Sequence, residues 1–188
     1  MKDKLSICKE WPISHEEYEM LEKEFGKLIE HQAWDLIRRN TKSNFTDDQI
    51  DIAQTLRIAM MKAGSYYKRQ IYIEKCIDLC KSLCKNSSDK KVLKNLISLW
   101  NNKTKHGANK QKFGPKEEKV LNKLMIKVVP KEQHPDKNLK LKIDALFTRY
   151  CKAITWNEQK NLGKKITRER GIRENSVSLS EYDSMISI

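Results

Sequence analysis

The sequence predicts an all-α protein, and two observations carry that expectation. Apolar residues recur at helical spacing along most of the chain, and capping signatures stand where several of these runs begin. Neither a convincing β-hairpin signal nor an internal repeat is visible. At 188 residues and 22.2 kDa the chain is long enough to bury a real core. The organisation predicted is a single helical domain over residues 1–173 followed by a flexible acidic-apolar tail over residues 174–188.

The first helix is announced by Ser14-His15-Glu16-Glu17, which has capping-box form, and Tyr18, Leu21, Phe25, Leu28, Ile29, Trp34 and Leu36 carry it to about Arg39. The segment NTKSNF interrupts it. Thr46-Asp47-Asp48-Gln49 is a second capping box whose acids suit the positive end of a helix. Ile50, Ala53, Leu56, Ile58, Met60 and Met61 then predict an apolar face, with Gly64 as the stop. A third helix is predicted from Tyr66 to Lys85, and a fourth, capped by Ser88, reaches Trp100. The stretch NNKTKHGANKQKFG reads as a basic loop and a candidate phosphate contact. Pro115 suits the first turn of a helix running to about Val128. After a connector with two prolines, a long helix is predicted from about Leu139 to Gly163.

The formal net charge is +13, and it is unevenly placed. Residues 1–100 hold 18 Lys and Arg against 15 Asp and Glu, whereas residues 101–175 hold 20 against 8. A basic back half points to a polyanionic partner, most commonly nucleic acid; a generally lysine-rich composition is the alternative. No apolar run approaches the length needed to cross a bilayer, and the N-terminus lacks a signal-peptide core. A cytoplasmic setting, without membrane partners, is therefore expected. Five cysteines, an odd number, suit free thiols in a reducing compartment. Cys76, Cys80 and Cys84 lie on one helical stripe. Zinc would need a fourth ligand such as Cys151, His106 or His134, so small core residues are the preferred reading and no metal or other cofactor is expected. No nucleotide-binding glycine loop or nucleophile elbow is present, and no catalytic residue is assigned.

Asp51, Ile52, Gln54, Ile58, Met60, Lys62 and Ala63, followed by Tyr66-Tyr67, match in register the DLxQxxxIxLxKA pattern of a helix in region 2 of bacterial RNA polymerase sigma factors. LIEHQAWDLIRRN resembles the family's preceding helix. Phe147-Thr148-Arg149-Tyr150 resembles its FxTY block, and VSLSE at residues 177–181 is similar to the VSLDE string that often follows. The chain resembles most the short late-transcription sigma-like factors of tailed phages, having no room for the family's helix-turn-helix domain. The resemblance implies a region 2-like core from residues 14–67 and 139–173, with residues 68–138 as a helical insertion. Seventy-nine residues separate Tyr67 from Phe147, where the family has a loop's length. The family's tandem tryptophans would fall on Ala153 and Ile154; Trp156 stands two positions later.

The resemblance implies a transcription initiation factor that binds the host RNA polymerase core and directs it to promoter DNA, without enzymatic chemistry of its own. Asp51, Gln54, Arg57 and Met61 would meet the polymerase. The helix from Phe147 would meet DNA: Arg149, Lys152, Lys160, Lys164, Lys165, Arg168, Arg170 and Arg173 toward phosphates, Trp156 on an unpaired base and Asn157 on a base edge. Tyr182, Met185, Ile186 and Ile188 form an acidic-apolar end that either docks, with a sliding clamp as the partner the resemblance implies, or stays disordered. Two other readings stand beside this one: a general helical DNA- or RNA-binding protein without polymerase contact, and a small nuclease.

Overall fold

A computed structural model describes residues 10–40, 46–101 and 113–186, with side chains described for residues 10–39, 49–101 and 113–168. Five α-helices order these residues: α1 (His15–Asn40), α2 (Thr46–Leu83), α3 (Ser87–Asn101), α4 (Pro115–Val128) and α5 (Ala145–Ile186), with one 3-10 turn at Lys131–Gln133. No strand occurs among the described residues. The chain divides into two compact units, residues 1–66 with 141–188 and residues 67–140, so that one boundary falls inside α2.

The first unit is built around α1. Its start follows the capping box read from the sequence: the Ser14 amide donates to Glu17 Oε2 at 2.8 Å, and the Glu17 amide donates to Ser14 Oγ at 3.2 Å. Glu17 is buried, and its other carboxylate oxygen accepts the amide of Leu141. One carboxylate therefore both starts a helix and fastens the chain where it returns to this unit. Leu21, Phe25, Ile29, Ala33, Leu36 and Ile37 form the inner face of α1. They are joined in the core by Leu56, Met60 and Ala63 of α2 and by Phe147 and Cys151 of α5.

Gly64 does not stop α2. Its position is buried, and a Cβ there would lie 2.8 Å from Ile13 Cδ1 and 3.3 Å from Leu141 Cδ2. The glycine admits neighbouring side chains to the helix backbone, and α2 runs on to Leu83. Ile50 and Ile58, expected on the apolar face, are exposed, while Ile52, Ala59 and Ala63 are buried with Ala53, Leu56 and Met60. The inward face is thus rotated from the one the larger residues suggest.

In the second unit, Tyr72, Ile73, Cys76, Ile77, Cys80 and Cys84 of this chain segment are buried, as are Leu93, Leu96 and Trp100 of α3 and Leu121, Leu124 and Met125 of α4. Asn86, not Ser88, caps α3: its Oδ1 accepts the Ser88 amide at 3.1 Å and the Ser88 hydroxyl at 3.2 Å. Pro115 occupies the first turn of α4, where its missing amide hydrogen leaves no bond unmade. Glu117 accepts the Gly114 amide at 2.8 Å, and the backbone hydrogen bonds hold its carboxyl below the usual range. Trp100 meets Phe113 edge-on, with centroids 5.0 Å apart. Arg69 Nε donates to Glu118 at 3.0 Å, and Lys127 Nζ to Asp89 at 2.7 Å.

The long C-terminal helix begins at Ala145, six residues later than expected, because Asp144 caps it: Oδ1 accepts the Phe147 amide at 2.7 Å. Gly163 does not end it either. A Cβ at Gly163 would lie 3.1 Å from Leu36 Cδ1, so this glycine also serves close helix packing. The backbone of α5 stays helical through Ile186, including residues 174–186 for which the sequence predicts a flexible tail.

Candidate nucleic-acid interface

The inward seam of α5 determines which of its residues face away. Phe147, Cys151, Thr155 and Gln159 are buried at four-residue intervals, and Gly163 continues the series. Phe147 packs edge-on against Phe25, with centroids 6.0 Å apart. Burial pushes the Cys151 thiol up to about 12. The Tyr150 hydroxyl also rises to about 12, first through burial and then through Tyr66 and Cys151. Burial thus favours the protonated form of both groups.

Arg149, Lys152, Trp156, Asn157, Lys160, Lys164, Lys165 and Arg168 are all exposed on α5. Trp156 keeps 46% of its surface, and Lys160 Nζ stands 5.4 Å from the centre of its ring, within cation–π range. Arg170 and Arg173 lie beyond the residues with described side chains, as do Tyr182, Met185 and Ile186; Ile188 lies outside the described residues altogether.

Beside Trp156 an open groove runs between α1 and α5. It is lined by Leu28, His31, Gln32, Asp35 and Arg39 on one side and by Lys152, Ala153, Trp156 and Gln159 on the other. Gln159 Nε2 donates to the Gln32 carbonyl at 2.8 Å, which locks the two helices together beneath the groove. Gln32 is only 5% exposed, and its Oε1 is buried with no hydrogen-bond partner. A buried acceptor without a donor is uncommon and energetically unfavourable. Asp35 is engaged by Arg39, Nη2 to Oδ2 at 2.8 Å. On the same helix Arg38 lies 6.0 Å from the ring centre of Trp34, which is also exposed. An exposed aromatic plate with basic side chains beside an open groove suits a planar ligand attached to phosphate. Of the residues lining this groove, the sequence reading named Lys152 and Trp156 as site candidates and did not name His31, Gln32, Asp35, Arg39 or Gln159. The i, i+4 spacing of His31, Asp35 and Arg39 was legible, but the position of α5 beside them was not.

On α2, Asp51 and Gln54 are exposed, and Met61 is half-buried. Arg57 is engaged within the unit: its Nε and Nη2 donate to Glu22 Oε1 at 2.9 and 2.7 Å, with Glu30 at 3.4 Å. The Glu22 hydrogen bond holds the guanidinium pKa above its ordinary value. Ile50 and Ile58 are 56% and 51% exposed and flank Gln54 one turn to either side, giving an apolar and amide stripe.

Cys76, Cys80 and Cys84 are buried free thiols, and burial pushes Cys76 and Cys80 up to about 11. Among the described residues no group of three or more His, Cys, Asp or Glu side chains is arranged to hold a metal ion, and no helix is long and apolar enough to cross a membrane. No protein-family model matches the chain, and neither a curated protein nor a solved structure gives a significant match.

Proposed function

We propose that this chain is a sigma-like transcription initiation factor that binds an RNA polymerase core and directs it to promoter DNA, with phage late promoters as the fitting class. One observation carries the reading: the two stretches with sigma-like motifs, Asp51–Ala63 and Phe147–Tyr150, belong to the same compact unit although a whole second unit intervenes in sequence. Asp51 and Gln54, with Ile50 and Ile58, present an exposed stripe for the polymerase. Arg57 supports that stripe by holding α2 to α1. Trp156 stacks on an unpaired base, and the α5 lysines and arginines neutralise phosphates.

Capture of bacterial core RNA polymerase tests this reading. The wild-type chain is expected to retain the core, and Asp51→Ala/Gln54→Ala to lose it while keeping its helical content. If cores from several bacteria, including the native host, fail to bind the wild type, the polymerase assignment is wrong and the general DNA-binding reading takes its place.

A further inference from the structure

The second unit, residues 67–140, plays no part in the function proposed above, yet it holds nearly all of the molecule's net charge. The two units contain the same number of Lys and Arg, nineteen each. They differ in acids, eighteen in the first and seven in the second, so the net charges are +1 and +12. Leaving out residues 102–112, the second unit still has 15 basic residues against 7 acidic.

The charge is also organised. On α4, Lys116, Lys119, Lys123 and Lys127 fall at intervals of three, four and four and are all exposed. At 3.6 residues per turn they occupy one arc of about 80°, on the side away from buried Leu121, Leu124 and Met125. The helix's own acids answer them only in part, through a minor attraction between Glu117 and Lys116. Glu117 is turned to the Gly114 amide, and Glu118 is held by Arg69. On α3, Lys90 and Lys94 are likewise exposed one turn apart, and the Lys127–Asp89 contact joins the end of α4 to the beginning of α3. Like charges gathered on one face repel one another, which a polyanion relieves.

We propose that this α3/α4 face binds the phosphate backbone of duplex DNA without reading its sequence. The aromatic residues favour a duplex over a single strand: Tyr67, Tyr72, Trp100 and Phe113, all the Phe, Tyr and Trp of the unit, are buried, leaving no ring on which an open base could stack. The lysine stripe is about 16 Å long, a length over which duplex DNA presents roughly nine phosphates. Lysines on flexible stems act there as point charges and release counterions. The surface supplies affinity, and base recognition belongs elsewhere.

The inference does not rest on the transcription reading, and its test needs neither polymerase nor promoter. Binding of the full chain to a fluorescent mixed-sequence duplex is followed by anisotropy over a range of NaCl concentrations. The wild type is compared with Lys116→Gln/Lys119→Gln/Lys123→Gln, whose helix propensity is nearly unchanged. The expected result is a loss of affinity of about 10- to 100-fold near 0.1 M salt and a log–log salt slope shallower by about 2 to 3. An unchanged slope and affinity would overturn the proposal. So would a variant that loses binding to phosphatidylserine vesicles or to polyglutamate while keeping the duplex, since the face would then serve a membrane or an acidic protein. In the wild type, duplex DNA should also shield Lys116, Lys119 and Lys123 from chemical acetylation more than the exposed α1 residues Lys23 and Lys27. Equal reaction at both sets refutes the assignment independently of any variant.

Discussion

The ion pair between α1 and α2 offers a sharp test of how the first unit is held together. Arg57 places Nε and Nη2 on one oxygen of Glu22, at 2.9 and 2.7 Å, and the two side chains are 25% and 30% exposed. Fully exposed pairs contribute about 0–1 kcal/mol, whereas breaking a buried pair costs about 3–5 kcal/mol. This pair lies between those limits. Two hydrogen bonds between charged groups are lost on truncation, and Glu22 Oε2 is already buried without a partner. Replacing Arg57 by Met keeps much of the stem and removes the charge, so the expected loss is about 2 kcal/mol. Urea unfolding followed by circular dichroism should show a lower midpoint at unchanged slope. A cycle with Glu22→Gln should give a coupling of about 1–2 kcal/mol. A loss below about 0.5 kcal/mol, or a coupling near zero, would refute the reasoning and return Arg57 to the set of residues available to a partner. Arg57→Glu should be worse than Met, because it sets a third carboxylate beside Glu22 and Glu30. A binding defect in that variant would report the fold as much as the surface.

Glu17→Ala should destabilise the chain by about 2–4 kcal/mol, since it removes a helix cap and leaves the Leu141 amide without its carboxylate; a urea midpoint near wild type would contradict this. Trp156→Ala should weaken single-stranded DNA binding by about 1–3 kcal/mol with no change in salt slope, as measured by anisotropy, because stacking displaces no counterions. Stability should also fall under alkaline conditions. The folded-state pKa values of Cys76 and Cys80, near 11, exceed the ordinary thiol value of 9.0, so their contribution is complete below pH 9 and is lost as the pH rises to about 11. Thermal unfolding between pH 8 and 11 should show this decline, and Cys76→Ala/Cys80→Ala should make the curve flatter.

Features within a few residues of each other were legible in the sequence. The Ser14–Glu17 box and the position of Pro115 depend on hydrogen bonds and dihedral angles spanning one turn, so they could be read without knowing what packs nearby. The helical class followed from periodicity for the same reason. The α5 residues from Arg149 to Arg168 were found because a helix turns basic side chains outward at a known interval.

What packing decides was not legible. Gly64 and Gly163 have the composition of helix ends, yet each lies within a helix, where Ile13 with Leu141 at one and Leu36 at the other pack closely against the backbone. Arg57 reads as a surface position in the sequence, but Glu22, thirty-five residues away in sequence, lies opposite it and accepts its hydrogen bonds. Ile50 and Ile58 were assigned inward by hydrophobicity and face outward, because Ile52, Leu56 and Ala59 meet the core instead. The sequence placed the basic excess in its back half, residues 101–175, whereas by compact unit the basic residues divide equally. The path of the chain put eighteen acids in one unit and seven in the other, and so chose where a polyanion would be attracted.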